Sequence, residues 1–387
     1  MRSIYIRFTL ITPFIFFMSS TVISDTEDLF AGILMLADKN EQYLRTSPNR
    51  LKDSVLETYL QDLTCKLAGS RCSDIRAYLL RSPSFNAFMM PNGAMFVYSG
   101  LLLRMSTTSE LAFVIGHELA HYFESHGLNQ AVNVKRTQQI ANVLTLGQSA
   151  NSKLLISGIA QGYLSAYSRS DESEADAVGA KLLVSAGFDP NAASSVWINF
   201  LPEYATLGAQ KYSFFATHPM PVARADNLKA IGETFDDEIT TPDINESRLP
   251  RLVEDDRVNF LTDELRNTKT EQFLTILDSQ KKFAKLDDGL YGYLCAKSWE
   301  QSIKNKNLSK EGMDVAVKKA NSCYEQGDSS KNGMPSSAYK SWGRLNEKLG
   351  RPCAAIPKYQ KYIQMEPNAR DVSFVSRRLK KLDCAEL

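Results

Sequence analysis

His117-Glu118-Leu119-Ala120-His121 is the stretch that decides the fold of this 387-residue chain. Residues i and i+4 of an α-helix lie on one face, so the two imidazoles can bind the same metal ion. The glutamate between them would point to a water molecule on that metal and act as its general base. We therefore expect one Zn²⁺ per chain as cofactor, His117 and His121 as metal ligands, and Glu118 as a catalytic residue.

The residues around this motif predict its helix. Thr107 and Glu110 have the spacing of a capping box, and an apolar run follows them. Gly127 is the expected end of the helix. His126 lies nine residues after His117, which is about half a turn further around the helix axis. We expect His126 to point away from the metal and to have a structural role.

A catalytic zinc ion needs a third protein ligand and one open position. Glu172 and Asp176 stand at i and i+4 in a later helical stretch, so they share a face. One of them can bind zinc while the other accepts the free ring N–H of a histidine ligand. The alternative is an acidic helix N-terminus that the helix dipole stabilises without any metal. Asp171 and Glu174 lie off that face and are interpreted as solvated charges.

In these residues the chain resembles the HtpX/Oma-type gluzincin metallopeptidases, which include the CAAX prenyl proteases. Their pattern is HExxH followed by SRxxExxAD, which here reads Ser168-Arg169, Glu172 and Ala175-Asp176. The resemblance covers about residues 80–230. It implies a gluzincin-type zinc metallopeptidase domain, with Glu172 as third zinc ligand and Asp176 as the acid that orients a ligand imidazole. Further matches are Asn86-Ala87-Phe88, Pro91, Gly93 and Gly100-Leu101 in the family's edge-strand segment, and Thr217-His218-Pro219 with Arg224 in its THPxxxxR stretch.

Two residues of that last stretch are candidates for further roles. His218, a second candidate catalytic residue, would stabilise the tetrahedral oxyanion, or cap the metal in a resting state and block water. The alternative is a structural histidine fixed by Pro219. Arg224 would brace the site or bind the substrate backbone.

A short β-rich run follows the turn pattern Pro91-Asn92-Gly93. An exposed strand edge can pair with an extended peptide through main-chain hydrogen bonds. We therefore interpret the run as a substrate-binding strand that would select unfolded or misassembled proteins. The alternative is a strand whose apolar residues are simply the core of a small sheet. The run comprises Ala94, Met95, Phe96, Val97 and Tyr98.

The N-terminus is typical of an export signal. Arg2 and Arg7 precede an uncharged apolar run, and Val22-Ile23-Ser24 is a plausible cleavage site, which predicts a signal peptide at residues 1–24 and a periplasmic location. The alternative is a retained membrane anchor at the short limit for spanning. Six cysteines agree with an oxidising compartment. Proximity in the sequence pairs them as Cys65–Cys72, Cys295–Cys323 and Cys353–Cys384.

The whole pattern predicts a mainly α protein of the α+β class. Periodic apolar residues indicate helices over 26–80 and 137–167. The metallopeptidase domain is expected at 25–235, an acidic, proline-containing linker at 236–257, and an α-helical domain at 258–387.

The last domain contains one repeat-like stretch. Residues 336–369 resemble a tetratricopeptide-like (TPR-like) repeat, with 288–304 and 311–326 as a degenerate pair before it. The alternative is a plain helical bundle. The matching positions are Gly343, Gly350, Ala355, Tyr359 and Pro367.

Charge and resemblance together indicate the function. A formal net charge of +1 gives no reason to expect nucleic acid or an anionic membrane as partner. HtpX-like members are integral membrane proteins, whereas an export signal with a TPR-like region is similar to the soluble periplasmic, BepA-like subgroup. That similarity implies proteolysis of misassembled outer-membrane proteins, chaperone-like activity, and contact with the outer-membrane assembly machinery through the repeat region, with membrane association peripheral at most. The alternative is a non-proteolytic assembly chaperone or scaffold whose zinc site is inhibited.

Overall fold

The computed structural model describes residues 18–52, 54–133, 167–207, 218, 223–235, 246–304 and 308–384. Over these residues the protein is mainly helical with one small sheet, which confirms the predicted fold class. Most of the signal segment, most of the helix predicted at 137–167, and both chain neighbours of His218 fall outside the described residues. No helix in the described part of the chain is long and apolar enough to cross a membrane.

The first part of the chain packs helices around a core that includes Phe113 and Trp197. Leu60 and Leu63 bury one face of the second helix in this core. Ser54 caps that helix by accepting the backbone N–H of Glu57. The helices are α1 (Met18–Arg45), α2 (Val55–Ala68), α3 (Ser99–Arg104), α4 (Thr108–Phe123), α5 (Arg169–Ser185), α6 (Ala192–Thr206) and α7 (Ala223–Glu233).

A sheet of three strands lies beside α4. The strands β1 (Arg76–Leu80), β2 (Ala87–Met89) and β3 (Ala94–Tyr98) are arranged in the order β1–β3–β2. β3 pairs in parallel with β1 and antiparallel with β2. Gly93 turns the chain between β2 and β3 with a φ of 85°, and a Cβ there would meet the carbonyl oxygen of Asp74. Glycine is therefore required in this turn.

Helix α4 carries the HExxH motif and begins at the predicted cap, where the Thr107 hydroxyl accepts a backbone N–H of the first turn. The helix ends at Phe123, before the predicted Gly127. Ser125 takes a φ of 59°, which turns the chain, and a new helical stretch covers 126–133. The predicted end of the helix is therefore wrong by four residues.

Helix α5 crosses α4 at short range because each helix has a glycine at the crossing. A Cβ on Gly116 would lie 3.1 Å from the carbonyl oxygen of Gly179. A Cβ on Gly179 would lie 2.9 Å from the backbone nitrogen of His117. A capping box at Ser168 starts α5 just before its acidic residues. The short crossing distance brings the carboxylates of α5 within reach of the histidines of α4.

The second part of the chain consists of helices in the described residues. The helices at 336–348 and 352–365 pack against each other through small residues. A Cβ on Gly343 would lie 2.7 Å from the Tyr359 ring, and Ala355 is fully buried. These three residues belong to the predicted repeat, whose assignment as TPR-like stays a prediction. The helices are α8 (Arg248–Leu252), α9 (Glu254–Asn267), α10 (Thr270–Ala284), α11 (Asp288–Ile303), α12 (Lys310–Asp328), α13 (Ser336–Lys348), α14 (Pro352–Met365) and α15 (Val372–Leu379).

Two predictions about local structure need correction. The helical prediction for 26–80 is wrong at its end, because residues 76–80 form β1. Residues 236–257 were expected to be a linker, but 248–257 is almost entirely helical. Leu249 and Val253 are buried there, so this part packs against the protein instead of connecting two domains loosely.

The three predicted disulfide pairs are present. Cys65–Cys72 closes the 3₁₀ turn after α2, and Cys295–Cys323 joins α11 to α12. Cys353–Cys384 ties the end of the described chain to α14. No free cysteine remains.

Candidate metal centre and active site

Helix α4 places the three motif side chains in one buried position. His117 and His121 direct their Nε2 atoms towards each other, 3.1 Å apart. Glu118 is buried beside them, with a backbone N–H of the sheet residue Met89 bonded to its carboxylate. This is the arrangement that the i, i+4 spacing predicts.

Helix α5 contributes the carboxylates from the opposite side. Glu172 Oε1 lies 3.5 Å from His121 Nε2, and Glu172 Oε2 lies 3.7 Å from His117 Nε2. Asp176, one turn later, has its Oδ1 atom 3.1 Å from His117 Nδ1. Glu172 therefore faces the metal side of both imidazoles, whereas Asp176 contacts the outer nitrogen of one. The two carboxylates have the separate positions that the family resemblance implies.

His218 joins this cluster from the later segment. Its Nδ1 atom lies 2.8 Å from Glu172 Oε1 and 3.4 Å from His117 Nε2. Its Nε2 atom lies 3.5 Å from Glu118 Oε1. One ligand atom from each of His117, His121, Glu172 and His218 lies within 4.8 Å of the others, and all four side chains are buried.

Arg224 lies behind the cluster and forms ion pairs with two carboxylates of α5, those of Glu172 and Asp176. Its Nε and Nη2 atoms donate to Asp176 at 2.7 and 2.6 Å. Its Nη1 atom lies 2.7 Å from Glu172 Oε2. The Trp197 ring covers the guanidinium at 4.7 Å. This buried position matches the bracing role among the two predicted for Arg224, and not contact with a substrate backbone.

The surroundings set the protonation states that a metal site needs. Burial lowers the pKa of His117, only partly offset by the hydrogen bond to Asp176, and burial lowers the pKa of His121 further. Both imidazoles are therefore neutral at neutral pH, as metal ligands must be. Burial alone would raise the pKa of Glu172, but hydrogen bonds with His121 and His218 outweigh it and hold the carboxyl pKa low.

Glu118 has the opposite tendency. Burial raises the pKa of its carboxyl group to about 7, against the lowering effect of His218. Its Oε1 atom is buried and has no hydrogen-bond partner among the described residues. A general base works best with a pKa near the operating pH and a partner still to be bound. Two imidazoles, one carboxylate and this oxygen, which still lacks a hydrogen bond, fit a catalytic Zn²⁺ with its water.

The strand predicted to bind substrate is not at an edge. β3 lies between β1 and β2, and Ala94, Met95, Phe96 and Val97 are fully buried. Because both sides of β3 are already paired, its residues, Tyr98 included, cannot take up a further strand. The prediction of 94–98 as the substrate strand is wrong, and the core alternative is correct. The edge beside α4 belongs to β2.

Sequence reasoning gave too little weight to three residues around His121. The Tyr167 ring stacks on the His121 ring, with centroids 3.8 Å apart. His126 Nδ1 lies 3.0 Å from His121 Nδ1, and His126 Nε2 lies 3.3 Å from Glu174 Oε2. His126 is outside the four-residue cluster, as predicted, but it contacts a ligand directly. Tyr167 stands immediately before the Ser168-Arg169 pattern, which is the only signal that could have indicated it.

A helix with HExxH, crossed by a helix whose glutamate completes the ligands and whose aspartate supports one of them, defines a metallopeptidase domain of the gluzincin class. The comparison with protein families agrees with this class. Residues 50–232 match Peptidase family M48, and this segment contains the whole histidine and carboxylate cluster.

Curated relatives match the same part of the chain. It is similar to the putative beta-barrel assembly-enhancing protease of Vibrio cholerae, with 30% identity over 207 residues, 49% of this chain and 42% of the relative. The beta-barrel assembly-enhancing protease of Escherichia coli K12 is 26% identical over 205 residues, with the same coverage. Mitochondrial metalloendopeptidase OMA1 of Schizosaccharomyces pombe is 31% identical over 165 residues, 42% of this chain and 49% of the relative. The chain spans less than half the length of each.

Proposed function

We propose that this protein is a zinc-dependent endopeptidase of the cell envelope that degrades unfolded or misassembled exported proteins, outer-membrane proteins among them. The observation that carries the proposal is the buried cluster of His117, His121 and Glu172 beside a buried carboxylate oxygen of Glu118 that accepts no hydrogen bond from the described residues. Such a donor set is that of a catalytic zinc site rather than a closed structural one.

The mechanism follows from the positions of the side chains. A bound Zn²⁺ would polarise the scissile carbonyl and lower the pKa of the attacking water. His117, His121 and Glu172 would hold the ion. Glu118 Oε1 would take the proton from the water and pass it to the leaving amine. Asp176 would keep the His117 ring oriented, because its carboxylate lies 3.1 Å from His117 Nδ1.

The outer edge of β2, which pairs with no further strand in the described residues, is the proposed binding place for the substrate backbone. On either side of β2, the Met90 N–H donates to the Ala94 carbonyl and the Asn86 carbonyl accepts from the Tyr98 N–H. The backbone groups of residues 86, 88 and 90 therefore point to β3. Ala87 and Met89 are the residues between, and their N–H and C=O groups point away from the sheet. An extended peptide pairing there would run past Glu118, to which the Met89 N–H is already bonded. Recognition through backbone groups favours unfolded chains over any one sequence.

A small pocket next to this edge would take a side chain of the substrate. Its volume is about 230 Å³ and its lining includes Leu34, Met89, His121, Phe123 and Tyr167. Sites for whole small molecules are usually about 300–1,000 Å³. The smaller volume fits one residue of a peptide, and the lining has an apolar part beside the polar side chains of Arg71 and Ser125. Apolar side chains are what an unfolded protein exposes and a folded one buries.

His218 is proposed as a fourth ligand in a resting state. Its Nδ1 atom lies among the other ligand atoms, where it would hold the position that water needs for the reaction. The oxyanion role would instead require the ring to stand beside the cluster. Cleavage would then require His218 to leave, so the protein would be active only towards substrates that displace it.

The compartment and partners are proposed from two observations. The disulfides belong to an oxidising compartment, which fits the periplasm and the predicted signal peptide. The bacterial relatives are named for beta-barrel assembly. We extend this to contact between the C-terminal helices and the outer-membrane assembly machinery, with association to the membrane itself peripheral and no nucleic-acid partner.

The decisive experiment replaces the general base. Glu118→Gln keeps the size of the side chain but cannot take a proton, so cleavage of an unfolded exported protein by the zinc-loaded enzyme should fall about 10²- to 10⁴-fold. Glu124→Gln, at the exposed end of the same helix, is the matched control and should cleave normally. If the wild type binds zinc and unfolded protein but Glu118→Gln cleaves no less, the enzyme proposal is wrong. If neither the wild type nor Glu118→Gln cleaves the unfolded protein while both bind it, the scaffold alternative is correct.

The third ligand has its own test. Glu172→Ala removes the carboxylate that faces both imidazoles, so the zinc affinity should fall by at least about 10- to 100-fold, the loss seen when even a supporting residue is removed. Zinc affinity is measured by competition with a chromophoric chelator. Glu174→Ala, on the same helix, removes a carboxylate that does not face the metal and should cost much less. An unchanged affinity in Glu172→Ala would rule out the ligand assignment.

A further inference from the structure

We propose that His126 and Glu174 form a hydrogen-bonded chain that positions the zinc ligand His121. The proposal rests on the zinc site proposed above and assigns a role to two residues that the mechanism does not use. His121 directs Nε2 to the metal side, 3.1 Å from His117 Nε2. Its other ring nitrogen lies 3.0 Å from His126 Nδ1, and His126 Nε2 lies 3.3 Å from Glu174 Oε2.

Only one distribution of protons satisfies the two imidazole rings and the carboxylate. When Nε2 of His121 binds a metal, Nδ1 of that neutral ring must carry the proton and must donate it. His126 Nδ1 must then accept, so its proton is on Nε2. That N–H faces the carboxylate of Glu174, which accepts it. Each group in the chain therefore fixes the tautomer of the one before it.

The backbone is arranged to make this contact. Ser125 takes a φ of 59°, an unusual value for a residue with a side chain, and ends the helix that carries His121. The turn directs His126 back onto that helix, where its side chain is buried. An uninterrupted helix would have carried His126 to the other face, as its spacing from His117 predicts.

The two zinc ligands are therefore held in different ways. His117 bonds directly to Asp176, a buried carboxylate that Arg224 also holds. His121 reaches its carboxylate through a second imidazole, and the Tyr167 ring stacked at 3.8 Å fixes the plane of the His121 ring. Asp171 Oδ1, at 4.0 Å, is a second carboxylate near His126 Nε2.

The proton positions can be read directly because the chain has four histidines. Histidine labelled with ¹⁵N, in the zinc-loaded protein, gives long-range ¹H–¹⁵N couplings that identify the protonated nitrogen of each ring. We expect His121 protonated on Nδ1 and His126 protonated on Nε2. A His126 ring protonated on Nδ1 would put two N–H groups against each other and would overturn the proposal.

Substitutions separate positioning from simple packing. His126→Asn keeps an acceptor oxygen near the place of Nδ1, whereas His126→Phe keeps a ring but has no acceptor. A positioning role predicts that His126→Phe loses about 10- to 100-fold in zinc affinity and that His126→Asn recovers most of it. A packing role predicts the reverse order, because phenylalanine fills the buried space better. The reverse order would contradict the proposal.

Glu174 gives the matched pair of variants. Glu174→Gln keeps an acceptor for His126 Nε2–H and should bind zinc nearly as the wild type does. Glu174→Ala should weaken zinc binding by a few-fold, and Glu124→Gln is the control for loss of a surface charge. Equal affinities in Glu174→Ala and wild type would remove Glu174 from the chain. Zinc affinity is read without cleavage, so a wild type that binds zinc but does not cleave would refute the proposed function and leave this test intact.

Discussion

At the scale of single residues, His218 offers the sharpest prediction. Its Nδ1 atom lies 2.8 Å from Glu172 Oε1, inside the ligand cluster. If it is a fourth ligand in a resting state, His218→Ala opens the site in every molecule. The cleavage rate should then rise by a factor equal to the reciprocal of the fraction of wild-type molecules in which His218 has left the site. If that fraction is a tenth, the rise is roughly tenfold. The measurement is the cleavage rate of an unfolded protein at saturating zinc.

The competing role predicts the opposite sign. A residue that stabilises the oxyanion lowers kcat by about 10²- to 10³-fold when it is removed. A fall of that size in His218→Ala, with zinc still bound, would replace the fourth-ligand assignment by the oxyanion role. The zinc affinity of the same variant should fall if His218 is a ligand, and should be unchanged if it acts only on the substrate.

The site residues that spacing alone indicated lie one turn apart on the same helix, whereas His218 and Arg224 were indicated by the family resemblance. His117, Glu118 and His121 are one turn of α4, and Glu172 and Asp176 are one turn of α5. Such spacing can be recognised in the sequence before the fold is known. Tyr167 and His126 contact His121 only because the chain turns at Ser125 and returns at α5, and no local pattern encodes those contacts. Spacing alone misplaced His126 because it assumed that the helix continued.

At the scale of elements, the outer edge of β2 predicts which backbone groups of a substrate contribute to binding. Ala87 and Met89 direct their C=O groups away from β3, so every second residue of a paired peptide would donate its N–H to one of them. N-methylation of the peptide at a paired residue removes one hydrogen bond and should lower kcat/KM roughly 2- to 10-fold. N-methylation at the residues between should have little effect. A series of singly methylated peptides contains its own control, and equal losses at all positions would contradict pairing along β2.

The sheet shows why an element can be detected and still misplaced. The β-rich run at Ala94–Tyr98 was correctly predicted as a strand from its turn and composition. Its place in the sheet depends on β1, whose residues Ala77-Tyr78-Leu79-Leu80 form an unbroken apolar run. Such a run reads equally as buried helix and buried strand. Because β1 was not predicted, β3 had only one expected neighbour and was interpreted as an edge strand.

At the scale of the whole molecule, a buried charge cluster ties the M48 segment to the helices beyond it. Arg104 of α3 donates to Glu203 of α6 through two bonds of 2.7 Å. It also donates to Glu264 of α9 at 2.5 Å, and all three side chains are buried. One guanidinium faces two carboxyl groups, so the cluster is neutral only when one carboxyl group is protonated. Nothing in the sequence indicated the contact between Arg104 and Glu264, because the two residues are 160 positions apart.

Burial favours the protonated form of Glu264, and this gives the last prediction. Burial raises the pKa of Glu264 to about 7, more than the charge of Arg104 lowers it. In the unfolded chain the pKa of a glutamate is about 4.3. The folded state therefore binds the proton more tightly, so this residue stabilises the fold at low pH and its contribution is lost as the pH rises towards 7. The loss is at most about 1.4 kcal/mol per pH unit.

Glu264→Gln keeps the size of the protonated carboxyl group and cannot ionise. The difference in thermal midpoint between this variant and the wild type should grow in favour of the variant from pH 5 to pH 7 and stay constant above that. Other titrating groups cancel in the difference because both proteins contain them. Glu271→Gln, at an exposed position in α10, should give a difference that does not change with pH. A pH-independent difference for Glu264→Gln as well would mean that Glu264 is ionised in the folded protein, and that the tie to the C-terminal helices carries a net negative charge.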